Sequence, residues 1–158
     1  MTLSHEEGIA AAERAAAALG FSGLDPTYRY EEGGVLYVNF AAVKGEIRLY
    51  PDLVQIGISL SDGGLCYAEA KGYLSNHKAR ALIPTVTEED ARASLYDGFD
   101  ILSARLCVIP TSGELERLCY EFHTKQGDRE FLIYIDASTG SEAQVLQLLR
   151  SDGGELTM

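Results

Sequence analysis

Three histidines, three cysteines and a surplus of carboxylates are the residues of this 158-residue chain that could do chemistry. His77 keeps the richest company, because Asn76-His77-Lys78-Ala79-Arg80 crowds amide, imidazole, ammonium and guanidinium groups together. An imidazole there is a general base in principle, since it titrates near neutral pH. No sequence partner marks it as one, and a junction that hydrogen-bonds two halves of the chain is the better-supported role. Tyr73, Asn76, His77 and Arg80 are therefore the candidate interaction or junction residues. His5 falls in the first turn of a helix and reads as solvent-exposed. His123 continues Cys119-Tyr120-Glu121-Phe122, where an alternating strand expects a polar residue anyway.

Cys66, Cys107 and Cys119 are far apart and form no Cys-x-x-Cys, so they do not supply the converging ligands of a zinc site. Each lies between apolar or aromatic neighbours and reads as a small buried hydrophobe in a strand. A single bridge, Cys107 to Cys119, stays open, while the odd count excludes a full disulfide framework. The phosphate-cradling patterns G-x-G-x-x-G and G-x-x-x-x-G-K-[ST] are absent, as are G-x-S-x-G and H-E-x-x-H. No EF-hand loop pattern occurs. Glu31-Glu32 and Glu88-Glu89-Asp90 are accounted for by a turn and a helix N-terminus rather than by an acid/base pair. The residues thus nominate no catalytic, metal or cofactor site, and no cofactor is expected.

The elements that must position these groups are legible along the chain. Ser4 and Glu7 form a capping box that opens a helix from about Ser4 to Leu19, rich in alanine and stopped by Gly20. Small side chains let such a helix lie close on a sheet. Strands follow at Thr27–Tyr30, Val35–Phe40, Glu46–Tyr50, Leu53–Leu60 and Leu65–Ala70, with turns at Glu31-Glu32-Gly33-Gly34 and Ser61-Asp62-Gly63-Gly64. The order then recurs. Thr87 caps a second helix that runs to about Tyr96, and strands follow at Ile101–Ile109, Leu115–His123 and Glu130–Asp136. Asp136-Ala137-Ser138-Thr139-Gly140 stands where Ser61-Asp62-Gly63-Gly64 stood in the first half. Period alone leaves Val145–Leu149 as either strand or short helix. The expected fold class is α+β, with two tandem units at 1–83 and 84–158, each a helix packed on an antiparallel meander.

Composition narrows the partners. With 24 Asp and Glu against 13 Lys and Arg, the net charge of −11 disfavours nucleic acid and an anionic bilayer surface. No apolar stretch reaches the ~20 residues that span a membrane. The N-terminus lacks the basic-then-apolar order of a signal peptide. Nine tyrosines and no tryptophan leave strand faces that suit either half-burial or protein binding.

Several stretches taken in order carry a family resemblance. They are Leu49-Tyr50-Pro51-Asp52-Leu53, Gly72-Tyr73-Leu74 with Asn76-His77 and Arg80, Cys119-Tyr120-Glu121-Phe122, Tyr134-Ile135-Asp136-Ala137 with Thr139-Gly140, and Gly154-Glu155-Leu156-Thr157-Met158. In this order they resemble the C-terminal region of YpeB-type spore-germination proteins, which is built from PepSY domains. The resemblance implies the repeat of helix and antiparallel sheet read above, so the two units would be PepSY-like. It implies a non-enzymatic regulatory module of spore germination, whose partner is a cortex-lytic transglycosylase that it binds and stabilises or restrains. It implies a place in the spore envelope, on the outer side of the inner spore membrane. Anchoring would come from an N-terminal region that this chain, read as a C-terminal fragment, lacks, so the fragment itself would not touch the membrane. The alternative is a propeptide-like peptidase inhibitor, because PepSY domains also occur in peptidase propeptides.

Overall fold

A computed structural model describes residues 2–111, 115–151 and 154–157, and of residues 150, 151 and 154–157 it describes the backbone alone. The fold is α+β, dominated by antiparallel strands. It divides into two compact units that interleave in sequence. Unit 1 comprises residues 1–44, 51–77 and 150–156, and unit 2 comprises 45–50, 78–149 and 157–158.

Unit 1 opens with α1 (His5–Ala18), whose N-cap Ser4 accepts from the Glu7 amide while the Glu7 carboxylate accepts from the Ser4 amide. Its buried residues Gly8, Ala12 and Ala16 recur every fourth position and so form one stripe. At Gly8 the close approach is measurable: a Cβ there would lie 2.6 Å from Leu36 Cδ2. The sheet beneath is a meander of β1 (Leu24–Glu32), β2 (Val35–Lys44), β3 (Ile47–Ser59) and β4 (Leu65–Glu69). Gly33 and Gly34 turn β1 into β2 with φ of 59° and 79°, the two positive values a tight primed hairpin turn demands. Leu36, Val38, Phe40, Val54, Ile56 and Ile58 form the core under α1.

A shorter helix, α2 (Lys71–Asn76), closes this part of the chain. In unit 2, α3 (Glu88–Ala93) seats fully buried Ala91 on Tyr120, Phe122, Ile133 and Ile135. Those residues belong to the antiparallel strands β5 (Asp100–Pro110), β6 (Glu116–Gln126), β7 (Arg129–Asp136) and β8 (Glu142–Ser151), paired in that order. A second apolar cluster gathers Cys107, Ile109, Cys119 and Tyr134 with Tyr50, Leu132, Ala143 and Leu146. The start of β3 runs parallel to β5, with Arg48 opposite Cys107. A short strand, β9 (Gly154–Thr157), meets β1 in unit 1 at Tyr30.

Three details depart from the sequence reading, and a further one settles what period alone left open. Glu46–Tyr50 and Leu53–Leu60 are one strand, β3, which runs straight through Pro51. The strand takes β5 as partner before that proline and β4 after it, so a residue without an amide proton interrupts little there. The second helix stops at Ala93 rather than Tyr96, because the Ser94 hydroxyl donates to the Ala91 carbonyl at 2.6 Å and ends the turn. Val145–Leu149 is strand, within β8. Cys66 is exposed, not buried: it sits on β4, beside the register shift opposite Gly57 and Ile58.

Candidate functional site

The stretch from Gly72 to Arg80 holds the residues that the sequence nominates. The helix α2, which the sequence does not announce, carries the first of them. Gly72 lets this helix settle on the backbone of β3, for a Cβ there would lie 3.0 Å from the Pro51 carbonyl oxygen and 3.2 Å from the Leu53 nitrogen. Asn76 Nδ2 then donates to the Pro51 carbonyl at 3.0 Å. One residue on, His77 Nδ1 meets Asp52 Oδ2 at 2.7 Å. Asp52 is fully buried, whereas the imidazole is 45% exposed. A carboxylate only accepts, so the Nδ1 of His77 carries the proton and donates, which fixes the tautomer. Tyr73 stacks on that ring, with centroids 4.4 Å apart and planes 13° from parallel, and it also meets Phe21 edge-on.

Asn76 and His77 therefore converge on Pro51-Asp52, with Tyr73 stacked on the imidazole, all within unit 1. Arg80, the fourth candidate, makes a two-pronged ion pair in unit 2, donating from Nε and Nη2 to the two carboxylate oxygens of Glu116 at 2.8 Å each. Its side chain is 6% exposed, which makes this pair far more protected than an ordinary surface bridge. Chemically, a buried aspartate behind a histidine is the arrangement that orients an imidazole as a base. Here Gly72 and Asn76 fasten α2 to β3, Tyr73 packs between His77 and Phe21, and the dyad completes that clasp.

The other histidines hold carboxylates too: His5 Nε2 lies 2.8 Å from Glu31 Oε2, and His123 Nε2 lies 3.1 Å from Glu130 Oε1. His5 is only partly exposed as a result.

Two acids escape sequence reasoning. Asp52 falls, in sequence, at an apparent break between strands. Glu121, only 6% exposed, looks in sequence like one more strand carboxylate. Its Oε2 accepts from the Tyr50 hydroxyl at 2.5 Å and from the Tyr134 hydroxyl at 2.6 Å, while Arg48 Nη1 donates to the Tyr50 oxygen at 3.2 Å. Burial, reinforced by the Glu121 charge, drives both tyrosine pKa values far above their ordinary range. An acidic residue in a strand flanked by Tyr120 and Phe122 is the available hint.

The turn motif in the second half is structural. Asp136 Oδ1 accepts from the amides of Ser138 and Thr139, and Gly140 takes a φ of 77°. The Ala137 carbonyl accepts from the amides of Thr85 and Val86, which ties the approach to α3 onto the end of β7. Asp62 does the same work in unit 1, accepting from the Gly64 amide at 2.8 Å, which pulls its carboxyl below the ordinary value.

At the edge of unit 1, β4 pairs with β3 and exposes all five of its residues, Leu65 and Tyr67 among them. An edge strand of this kind offers unpaired backbone groups beside apolar side chains.

With this geometry in hand, comparison with known proteins gives a consistent result. Residues 1–83 match the family model described as YpeB sporulation, PepSY1 and PepSY2 domains. The sporulation protein YpeB of Bacillus subtilis (strain 168) is 28% identical over 130 residues, which cover 82% of this chain and 28% of that protein. Its counterpart from Halalkalibacterium halodurans is 30% identical over 125 residues, covering 78% of this chain and 28% of that protein. The chain thus spans little more than a quarter of the length of these relatives. Among solved structures, the Bacillus megaterium YpeB C-terminal domain superposes with a TM-score of 0.84 at 26% identity, over 95% of this chain and 67% of that one.

Proposed function

The chain belongs to the YpeB sporulation family, and from that premise we propose that it is a non-enzymatic binding module of the bacterial spore, holding a cortex-lytic cell-wall hydrolase. Each unit is read as PepSY-like, a helix on an antiparallel sheet, with α1 in the first and the shorter α3 in the second. Full-length relatives sharing this region carry the name of a sporulation protein, and that shared region is the observation on which the reading rests. Asn76 Nδ2 and His77 Nδ1 are engaged by Pro51 and Asp52 on β3, and the reading places binding elsewhere on the surface. A net charge of −11 would steer a basic patch of the hydrolase toward the chain, and exposed Leu65 and Tyr67 on β4 would supply apolar contact. The module would act in the spore envelope, on the outer side of the inner membrane, anchored by a region outside this chain.

The test is a muralytic assay of the purified cortex-lytic transglycosylase, with and without the chain, alongside the survival of the hydrolase under limited proteolysis. Slower hydrolysis identifies restraint, and longer survival at unchanged activity identifies protection. Neither effect at saturating chain would refute the proposal.

The exposed β4 edge favours a second reading, the propeptide-like peptidase inhibitor, since strand addition to a protease cleft needs such an edge. Dose-dependent inhibition of a metallopeptidase with no effect on cortex lysis would select it.

A further inference from the structure

Cys107 and Cys119 occupy directly opposed positions on β5 and β6. Both are fully buried, both are free thiols, and both belong to the same apolar cluster, so their side chains lie on one face of the sheet. The ladder also fixes what kind of pair they form. The Thr111 amide donates to the Leu115 carbonyl at 2.8 Å, and these residues extend the register in which Pro110 faces Glu116. Opposed pairs alternate along an antiparallel ladder, so stepping back by twos from that hydrogen-bonded pair makes Cys107 and Cys119 a hydrogen-bonded pair as well. Such pairs stand about 5.5 Å apart at Cα, inside the range a disulfide bridges, although the Cβ atoms must close by about 1 Å.

A space lies beside the same cluster. A cavity of about 360 Å³ is lined by Ile109, Pro110, Thr111, Arg117, Ala143 and Gln144. Two of its walls, Ile109 and Ala143, pack in the same cluster as the two thiols. Both thiols are fully buried, so an oxidant that reaches them has to be small and uncharged, as hydrogen peroxide is.

We infer that Cys107 and Cys119 are a peroxide-oxidisable dithiol, closing to a reversible cross-strand disulfide. One thiolate attacks a peroxide oxygen, the O–O bond breaks, and the departing hydroxide takes up a proton to leave as water. The sulfenic acid so formed is attacked by the second sulfur, an S–S bond replaces the S–O bond, and a second water leaves. Two thiols and one hydrogen peroxide thus become one disulfide and two waters, with the sulfurs oxidised and the peroxide oxygens reduced. Burial pushes the Cys119 thiol up to about 12 and that of Cys107 higher, so little thiolate is present near neutral pH and the first step is slow there.

The experiment uses the full chain carrying Cys66→Ser, which removes the exposed thiol, treated with hydrogen peroxide and read by intact mass and peptide mapping. The expected product has lost two hydrogens, links the peptides of Cys107 and Cys119, and returns to the starting mass with dithiothreitol. Its rate of formation rises about tenfold per pH unit between pH 7 and 9, because the thiolate fraction does so well below the thiol's pKa. Cys107→Ala in the same background gains oxygen at Cys119 in place of the link. Both thiols surviving peroxide, or each gaining oxygen separately in the unsubstituted pair, would overturn the inference. Peptide mapping of the parent chain decides the matter even where the alanine variant fails to fold.

Discussion

Tyr134→Phe isolates a single hydrogen bond to a buried charge. The Tyr134 hydroxyl donates at 2.6 Å to Glu121 Oε2, in a site where Glu121 is 6% exposed and Tyr134 only 4%. Phenylalanine keeps the ring and its packing on Cys107, Ile109 and Cys119, so no cavity opens and the hydroxyl alone is lost. A hydrogen bond to an ionised group contributes about 1.5–3 kcal/mol. Tyr50→Phe should cost at least as much, because that hydroxyl also accepts from Arg48. Since both donors serve the same oxygen, each compensates partly for the other. The double variant should therefore lose more than the sum of the singles, with a coupling of about 0.5–3 kcal/mol. Urea unfolding at pH 7 is the assay; with a slope of about 1–3 kcal/mol per M, each single variant should move the midpoint down by roughly 1 M at an unchanged slope. Midpoints of both single variants within about 0.2 M of the parent would refute the account of Glu121 as a carboxylate held by two hydroxyls.

Three further outcomes are expected. Tyr50 and Tyr134 titrate higher in the folded chain than unfolded, so their contribution is intact below about pH 10 and falls above it by about 1.4 kcal/mol per pH unit for each. Urea midpoints measured from pH 8 to 11 should drop steeply past 10, and a flat profile would contradict the burial of these hydroxyls. His77→Ala removes the charge-assisted bond to buried Asp52 and should cost about 1.5–3 kcal/mol, read by the same denaturation; an unchanged midpoint would leave the clasp without energetic weight. Gly72→Ala sets a Cβ against the β3 backbone rather than against a movable side chain and should cost about 1–3 kcal/mol, with a neutral result showing that α2 does not lie so close on β3.

The features legible in the sequence are those whose cause is local. The Ser4–Glu7 capping box, the Gly33-Gly34 turn and the Asp136–Gly140 turn each place donor and acceptor within a few residues, so type and spacing reveal them. The candidate site is legible only by half. Tyr73, Asn76, His77 and Arg80 stand out as a dense polar stretch, but Asp52 lies 25 residues from His77 and Glu116 lies 36 from Arg80, and no periodicity links such distant partners. Glu121 is hidden for the same reason, since Tyr50 stands 71 residues away. The helix α2 gives no start signal because its N-cap, Ala70, has no side chain to cap with. Cys66 misleads because apolar neighbours on an edge strand look in sequence like those on a central one.

Titration calorimetry of this chain against the purified cortex-lytic transglycosylase of the same organism tests the proposed binding most directly. The account predicts saturable binding that weakens as salt rises, because a chain of net charge −11 meets its partner partly through charge. Absence of any saturable heat, at low salt and with both proteins folded, would contradict it.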